Sequence, residues 1–283
     1  MDGLNDLYRL IFLYLYKYLP MRTIIFFLLF AVLLKNNANA QTVTLKQIGK
    51  ETVLFSDVYV EWNNQNLYTI ENTGALYKTN LVTGSHTRLG NVTYKHTRYL
   101  FVVNGQLYCM EDDGSMNRID INTGAWTVVS PIGTWNSITR VITLGNKLYT
   151  TENGVLYYHP TLNYRVKKQI GDADFYDLGN FSRTDSTLHT LIGGTLYKID
   201  MSTGKWKTIG PKKGWKFAKS GAVIGNKFYT IETPSSLFET DLATGTKKEL
   251  DASQFMNAQL IFSDSGKLYG IFRGGILNEI IIN

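Results

Sequence analysis

Short runs of alternating apolar and polar residues fill the chain from about residue 44 to the end, and the runs recur as a set. The clearest marker is an apolar–aromatic pair, Leu-Tyr or a close variant. Its second member falls at Tyr68, Tyr108, Tyr149, His189 (in the place of Tyr), Tyr229 and Tyr269, at intervals of 40, 41, 40, 40 and 40. Alternation with period two predicts strands, and a repeat of about 40 residues built of such strands predicts one four-stranded propeller blade per copy. Aligned on the marker, each copy yields an inner strand A at 58–62, 100–103, 141–144, 221–224 and 260–262, with a weaker counterpart around Phe181. Strand B carries the marker, and strand C follows a glycine-containing turn, as in Leu76-Tyr77-Lys78 and Leu196-Tyr197-Lys198. Strand D closes the first five copies, as in Trp206-Lys207-Thr208-Ile209-Gly210.

The turn between C and D is the most regular local signal. It reads Asn80 to Gly84, Asp120 to Gly124, Asp200 to Gly204 and Asp241 to Gly245, each ending in Thr-Gly. An Asp or Asn at the start can accept amides of its own turn, and Gly takes the left-handed position. The third copy departs, with Pro160 and Asn163-Tyr164 in those places. The sixth copy ends without a strand D, while residues 44–49 read as a spare one. The sequence therefore predicts a six-bladed, all-β propeller whose N-terminal strand completes the last blade and removes the open edge.

Residues 1–40 differ from this pattern. Met21-Arg22 precedes an unbroken apolar run at 24–34 and a polar stretch ending Ala38-Asn39-Ala40, the order of a secretory signal. The expected arrangement is translation from Met21, cleavage after Ala40, a propeller over 41–283, and a secreted, periplasmic or cell-surface location with no membrane span in the mature form. The formal net charge is +6, of which +2 lies in the first forty residues. The remaining +4 contains no run of basic residues and excludes the electrostatic footprint of a nucleic-acid binder. Cys109 is the only cysteine, so no intrachain disulfide is possible and the core must hold the fold.

In the fifth copy, Ile209-Gly210-Pro211-Lys212-Lys213-Gly214-Trp215-Lys216-Phe217 is followed by Phe228-Tyr229. This resembles the repeat of secreted propellers of the tachylectin-2 type, a lectin family, and partial versions run through all six copies. The Asp-x-x-Thr-Gly turn is similar to that of quinoprotein-like and kelch-like propellers. The lectin resemblance implies a carbohydrate-binding module.

Three sets of residues could carry chemistry. An aromatic residue recurs in each connection from D to the next A: Phe55, Tyr94, Trp135, Phe175, Trp215 and Phe255. Such rings can stack on sugar faces or serve as wedges between blades. A Glu follows the marker tyrosine by three residues in four copies, Glu71, Glu111, Glu152 and Glu232. These acids could accept sugar hydroxyls, hold a cation, act as an acid–base pair, or only solvate a turn. Near the expected channel mouth stand Asp57, His96, Arg98, Arg140, Asp177, Lys219 and Gln259, which differ between copies as a ligand site on a repeat scaffold would. The loop at 172–177 gathers three carboxylates without a calcium-loop pattern, and the four histidines lack metal spacing. Neither a nucleophile elbow, a phosphate loop nor a zinc-helix motif occurs. The sequence thus points to a monomeric binding module without a cofactor, with a glycan as first candidate ligand and Trp135, Trp215 and Tyr94 as its platforms. A protein-interaction scaffold at the cell envelope, or a hydrolase or lyase with carboxylates at the channel mouth, stands as the alternative.

Overall fold

The computed structural model describes residues 41–50, 55–62, 65–172, 175, 181–184 and 187–283, with the side chains of the strand at 55–62 described only at Tyr59 and those at 181–184 not described. The signal-like segment, Asp177 and most of the 172–177 loop lie outside the described residues, as does the side chain of Asp57. The chain divides into Met1–Thr42 and Val43–Asn283. The second unit holds 24 strands and, among the described residues, no helix.

The strands form six separate four-stranded antiparallel sheets. Strand β1 is Val43–Gln47. Blade one contains β2 (Phe55–Trp62), β3 (Asn66–Glu71), β4 (Leu76–Asn80) and β5 (His86–Arg88). Blade two contains β6 (Thr97–Val103), β7 (Gln106–Glu111), β8 (Met116–Ile119) and β9 (Trp126–Ser130). Blade three contains β10 (Ile138–Leu144), β11 (Lys147–Glu152), β12 (Val155–His159) and β13 (Lys168–Ile170). Blade four contains β14 (Phe181–Thr184), β15 (Thr187–Ile192), β16 (Thr195–Asp200) and β17 (Trp206–Ile209). Blade five contains β18 (Ala218–Ile224), β19 (Lys227–Glu232), β20 (Ser236–Asp241) and β21 (Lys247–Asp251). Blade six contains β22 (Ala258–Asp264), β23 (Lys267–Phe272), β24 (Ile276–Ile282) and, as its outer strand, β1.

The first strand of each blade is innermost, and β22 lies against β2, which closes the ring. β1 pairs with β24 from Val43 opposite Ile282 to Gln47 opposite Asn278, so the spare strand seen in the sequence completes the sixth blade. The apolar face of β1 joins the core, with Val43 and Leu45 packed beside Ile280. Closure thus buries apolar surface and satisfies an edge at once.

The C–D turns take the form their sequence predicts. The side chain of Asp241 accepts the amides of Ala243 and Thr244 at 3.0 Å each, and Asn80, Asp120 and Asp200 do the same in their blades. Their glycines have a second role. Gly245, at φ +73°, packs on Gly210 of the preceding blade, at φ +64°, so closely that a Cβ on Gly245 would sit 2.3 Å from the Gly210 backbone. The same glycine-on-glycine approach joins Gly49 to Gly84, Gly90 to Gly124 and Gly171 to Gly204. Thr-Gly turns therefore recur because neighbouring blades meet there backbone to backbone.

The D–A aromatics lie inside the blade junctions. Tyr94, Trp135, Phe175, Trp215 and Phe255 are all buried, Trp135 and Trp215 to 1% exposure. Each donates its backbone N–H to the carbonyl of a B–C turn residue in the preceding blade: Gly74, Gly114, Gly154, Gly194 and Ser235. Trp215 packs between Leu196 and Ile209 of blade four and Val223 and Phe228 of blade five. These rings pack as wedges between blades in this structure, and Tyr94 also lines a groove at blade two. Phe55, the first of the series, begins β2.

Candidate functional site

The four glutamates at the ends of the B strands bear most directly on function, because the structure treats them differently. In blade one, Glu71 Oε1 lies 3.1 Å from Nε2 of His86, whose Nδ1 meets Thr79 at 2.8 Å and whose ring stacks on Tyr77 at 4.3 Å. In blade three, Lys167 donates to Glu152 at 2.6 Å, and its ammonium lies 4.3 Å from the Tyr157 ring centroid and 4.1 Å from that of Tyr164. Tyr164 also donates to Glu152 at 2.7 Å. In blade five, Lys247 donates to Glu232 at 2.6 Å and lies 4.3 Å from the Phe238 ring. Each acid is therefore met by a basic side chain fifteen residues later, at or just before strand D, and each basic group rests on an aromatic ring.

Two other blades replace both partners by apolar residues. In blade four, whose B–C turn is one residue shorter, Ile192 and, fourteen residues later, Trp206 occupy these positions, Trp206 opposite Ile199 as Lys247 is opposite Thr240, and both pack on one apolar cluster. Phe272 and Leu45 occupy them in blade six and share another. Blade two combines the acid of one arrangement with the tryptophan of the other. Glu111 Oε1 accepts the Thr97 hydroxyl at 2.9 Å and the Cys109 thiol at 3.1 Å, and among the described residues no basic side chain pairs with it. Burial, and then the neighbouring charge of Glu111, pushes the Cys109 thiol well above its ordinary value, so it is an inert donor rather than a nucleophile. At the position of Lys247 stands Trp126, 46% exposed.

Around Glu111 and Trp126 opens a groove of about 740 Å³, lined also by Tyr94, His96, Asp112, Asp113, Asn117, Val128 and Ile132. Its acidic side is set by the B–C turn: Asp113 accepts the Ser115 amide at 2.8 Å, a bond that holds its carboxyl below the ordinary range. His96 meets Asp112 at 2.9 Å, both well exposed. Asn117 is 6% exposed, and its Oδ1 has no hydrogen-bond partner among the described residues. The apolar side is the outer strand. Val128, Val129 and Ile132 are 56%, 41% and 74% exposed, and with Trp126 they are four of the nine large exposed apolar residues among those described.

Four of the channel-mouth candidates sit at a recurrent irregularity of the innermost strands, while His96 lies in the groove. Pairing skips one residue between Thr97 and Tyr99, Ile138 and Arg140, Ala218 and Ser220, and Ala258 and Leu260. Arg98, Lys219 and Gln259 are the bulged residues, and Arg140 directly follows the bulge at Thr139. A bulge re-aims the side chain it carries, so these exposed residues diversify one position of a common frame. Arg98 donates to the carbonyl of Ile138 at 3.1 Å and so ties blade two to blade three. Arg140 donates to the carbonyl of Thr139 at 2.8 Å. Among the described residues no group of His, Cys, Asp and Glu could hold a metal ion. No helix there is long and apolar enough to cross a membrane.

Sequence reasoning singled out Glu111, Tyr94 and His96 but missed Trp126, Asn117 and the apolar strand β9. The signal for Trp126 was present: it shares a column of the repeat with His86, Lys167, Trp206 and Lys247.

No protein-family model matches the sequence, and no curated protein sequence does. Solved structures do resemble the fold. A streptogramin B lyase superposes with a TM-score of 0.53 at 11% identity, over 87% of this chain and all of that one. A protein of unknown function from Bacteroides thetaiotaomicron gives 0.55 at 12% identity, over 86% of this chain and 76% of that one. Virginiamycin B lyase from Staphylococcus aureus gives 0.50 at 10% identity, over 85% and 99%. At these identities the likeness is one of fold, a β-propeller. The lectin-type resemblance rests on the sequence alone.

Proposed function

We propose that the chain is an exported binding module whose ligand is a polypeptide, held on the groove and outer edge of blade two. The observation that carries this reading is β9. Every other outer strand contains Lys or Arg: Lys46 in β1, Arg88 in β5, Lys168 in β13, Lys207 in β17, Lys247 and Lys248 in β21. β9 reads Trp-Thr-Val-Val-Ser, has no charge and faces solvent along most of its length. Charged outer strands discourage edge-to-edge pairing, and an uncharged apolar edge invites it. An extended segment can pair with β9 while its side chains enter the groove. The signal-like segment supports export, which places the module where it would meet envelope or extracellular proteins.

A glycan is the second reading, favoured by the exposed Trp126 ring beside the acceptors Asp112 and Asn117. Selection of a random peptide library on the full chain, beside a glycan array, separates the two. Peptides lost on Val128→Lys, which gives β9 the charge its counterparts carry, support the polypeptide reading. A glycan signal abolished by free sugar and untouched by Val128→Lys replaces it.

A further inference from the structure

The repeat supplies its own control for Glu111. In blades one, three and five the same acid is met by His86, Lys167 or Lys247, and the basic group rests on Tyr77, Tyr157 or Phe238 of the neighbouring strand. In blades four and six both members are apolar. Each of these five blades is matched within itself. Among the described residues, blade two alone pairs an acid with a ring and carries no basic group between them. The aromatic position on the C strand is also changed, to Asn117, a residue on the wall of the groove whose Oδ1 is buried and without a donor among the described residues. An unpaired acceptor of this kind costs free energy until a donor reaches it. Three features thus call for the same chemistry. Glu111 adds negative charge, the Oδ1 of Asn117 lacks a donor, and Trp126 offers the face of a large ring to a cation.

Resting on the polypeptide reading above, we propose that the blade-two groove is a subsite for a basic side chain, a lysine or arginine carried by the bound segment. The partner's ammonium or guanidinium takes the place that Lys167 and Lys247 take in their own blades. Asp113 at the rim adds charge that draws it in, Asp112 being already met by His96, and Val128 and Ile132 accept its apolar neighbours.

Three measurements test this on the full chain: the peptide selection, titration with n-hexylammonium against n-hexanol, and thermal unfolding of each variant. The selected peptides should be enriched in Lys or Arg at one position. Changing that residue to norleucine should weaken binding roughly tenfold, and Glu111→Gln should produce the same loss with the original peptide. Glu111→Gln keeps the shape and can still accept from Thr97, so it should fold. Trp126→Lys should fill the subsite from within and abolish binding while unfolding at a higher temperature than the wild type. Trp126→Gln, which brings no charge, should weaken binding without that stabilisation. Peptides that bind through β9, lost on Val128→Lys yet indifferent to norleucine and to Glu111→Gln, overturn the subsite and leave the polypeptide reading standing. Binding of n-hexylammonium that depends on Glu111, with no peptide selected, keeps the cation subsite and overturns the polypeptide reading. Failure of both probes overturns both.

Discussion

In blade five, Glu232 meets Lys247 at 2.6 Å and the ammonium lies over Phe238; in blade two, among the described residues Glu111 meets a hydroxyl and a thiol and no basic group, and an exposed indole stands where the ammonium would be. The backbone is the same in both: four antiparallel strands, a bulge near the start of the inner one, an Asx turn between the outer two. The frame repeats because packing demands it at every junction, while single side chains decide whether a blade end is closed or open. Function in this molecule is therefore to be sought where the repeat departs from its own rules, and blade two departs at Glu111, Asn117, Trp126 and β9 together.

The two kinds of tryptophan give the largest test of that contrast. Trp215 is 1% exposed and donates its indole N–H to Thr240 at 3.1 Å, inside the junction of blades four and five. Trp215→Ala should cost about 3–5 kcal/mol, read by denaturant unfolding. Trp126→Ala, at a site 46% exposed, should cost under about 1 kcal/mol. Similar losses at the two positions would mean that Trp126 is structural and that blade two is closed like the rest.

Removing the basic group from a closed blade comes next. Lys247→Met leaves the buried Glu232 without its basic partner. Breaking a pair of this kind, with the lysine still 21% exposed, should cost roughly 2–3 kcal/mol. Glu111→Gln in blade two removes no ion pair and should leave the midpoint of unfolding nearly unchanged. Equal costs for the two substitutions would contradict the reading of Glu111 as an acid without a basic partner.

Much of this frame is readable in the sequence. The spacing of Tyr68, Tyr108, Tyr149, Tyr229 and Tyr269 reports a junction that must be filled in the same way each time, and the spare strand at the N-terminus is visible because the last copy lacks one. The function of the recurrent aromatics is harder to read. A ring that recurs in every blade can be a platform or a wedge, and the structure buries Trp135, Trp215 and Tyr94. The glutamates look alike as a column, yet Glu71, Glu152 and Glu232 are tied to the chain's own His86, Lys167 and Lys247. Comparing that column with the one fifteen residues later would have exposed the mismatch at Glu111 and Trp126. The bulges behind Arg98 and Lys219, and the orphaned Oδ1 of Asn117, depend on register and burial that residue types do not reveal.

Acid should also separate the closed blades from the open one. His159 in blade three and His189 in blade four are buried, and burial pulls each down to about 4 from an ordinary 6.5. Both are neutral in the folded and unfolded chain above about pH 6.5, so they cost nothing there. Below that value the unfolded chain binds protons that the folded chain refuses. Stability should therefore fall as the pH drops from about 6.5 toward 4, read as a declining melting temperature. His189→Tyr restores the residue used at Tyr68, which faces Lys78 as His189 faces Lys198. It should make the decline shallower. An unchanged slope would show that His189 titrates freely.

The smallest expected effect is the sharpest on the comparison itself. Trp126→Lys gives blade two the residue that blades three and five carry at the same place, and so converts the open blade into a closed one by a single side chain. The new ammonium would lie within reach of Glu111 on a frame that accommodates the same pair at 2.6 Å twice elsewhere. No aromatic from strand C waits beneath it, because Asn117 holds that position, so the gain should be smaller than the loss from Lys247→Met. About 0.5–1 kcal/mol is the expected stabilisation, the value of a partly exposed pair, and it should vanish in the double substitution Glu111→Gln with Trp126→Lys. In a domain of this size that is a rise of about 1–3 °C in melting temperature, shrinking as salt is added. If Trp126→Lys instead destabilises the chain as much as Trp126→Ala, with no coupling to Glu111, the two blades do not share a frame at this position and the contrast between them dissolves.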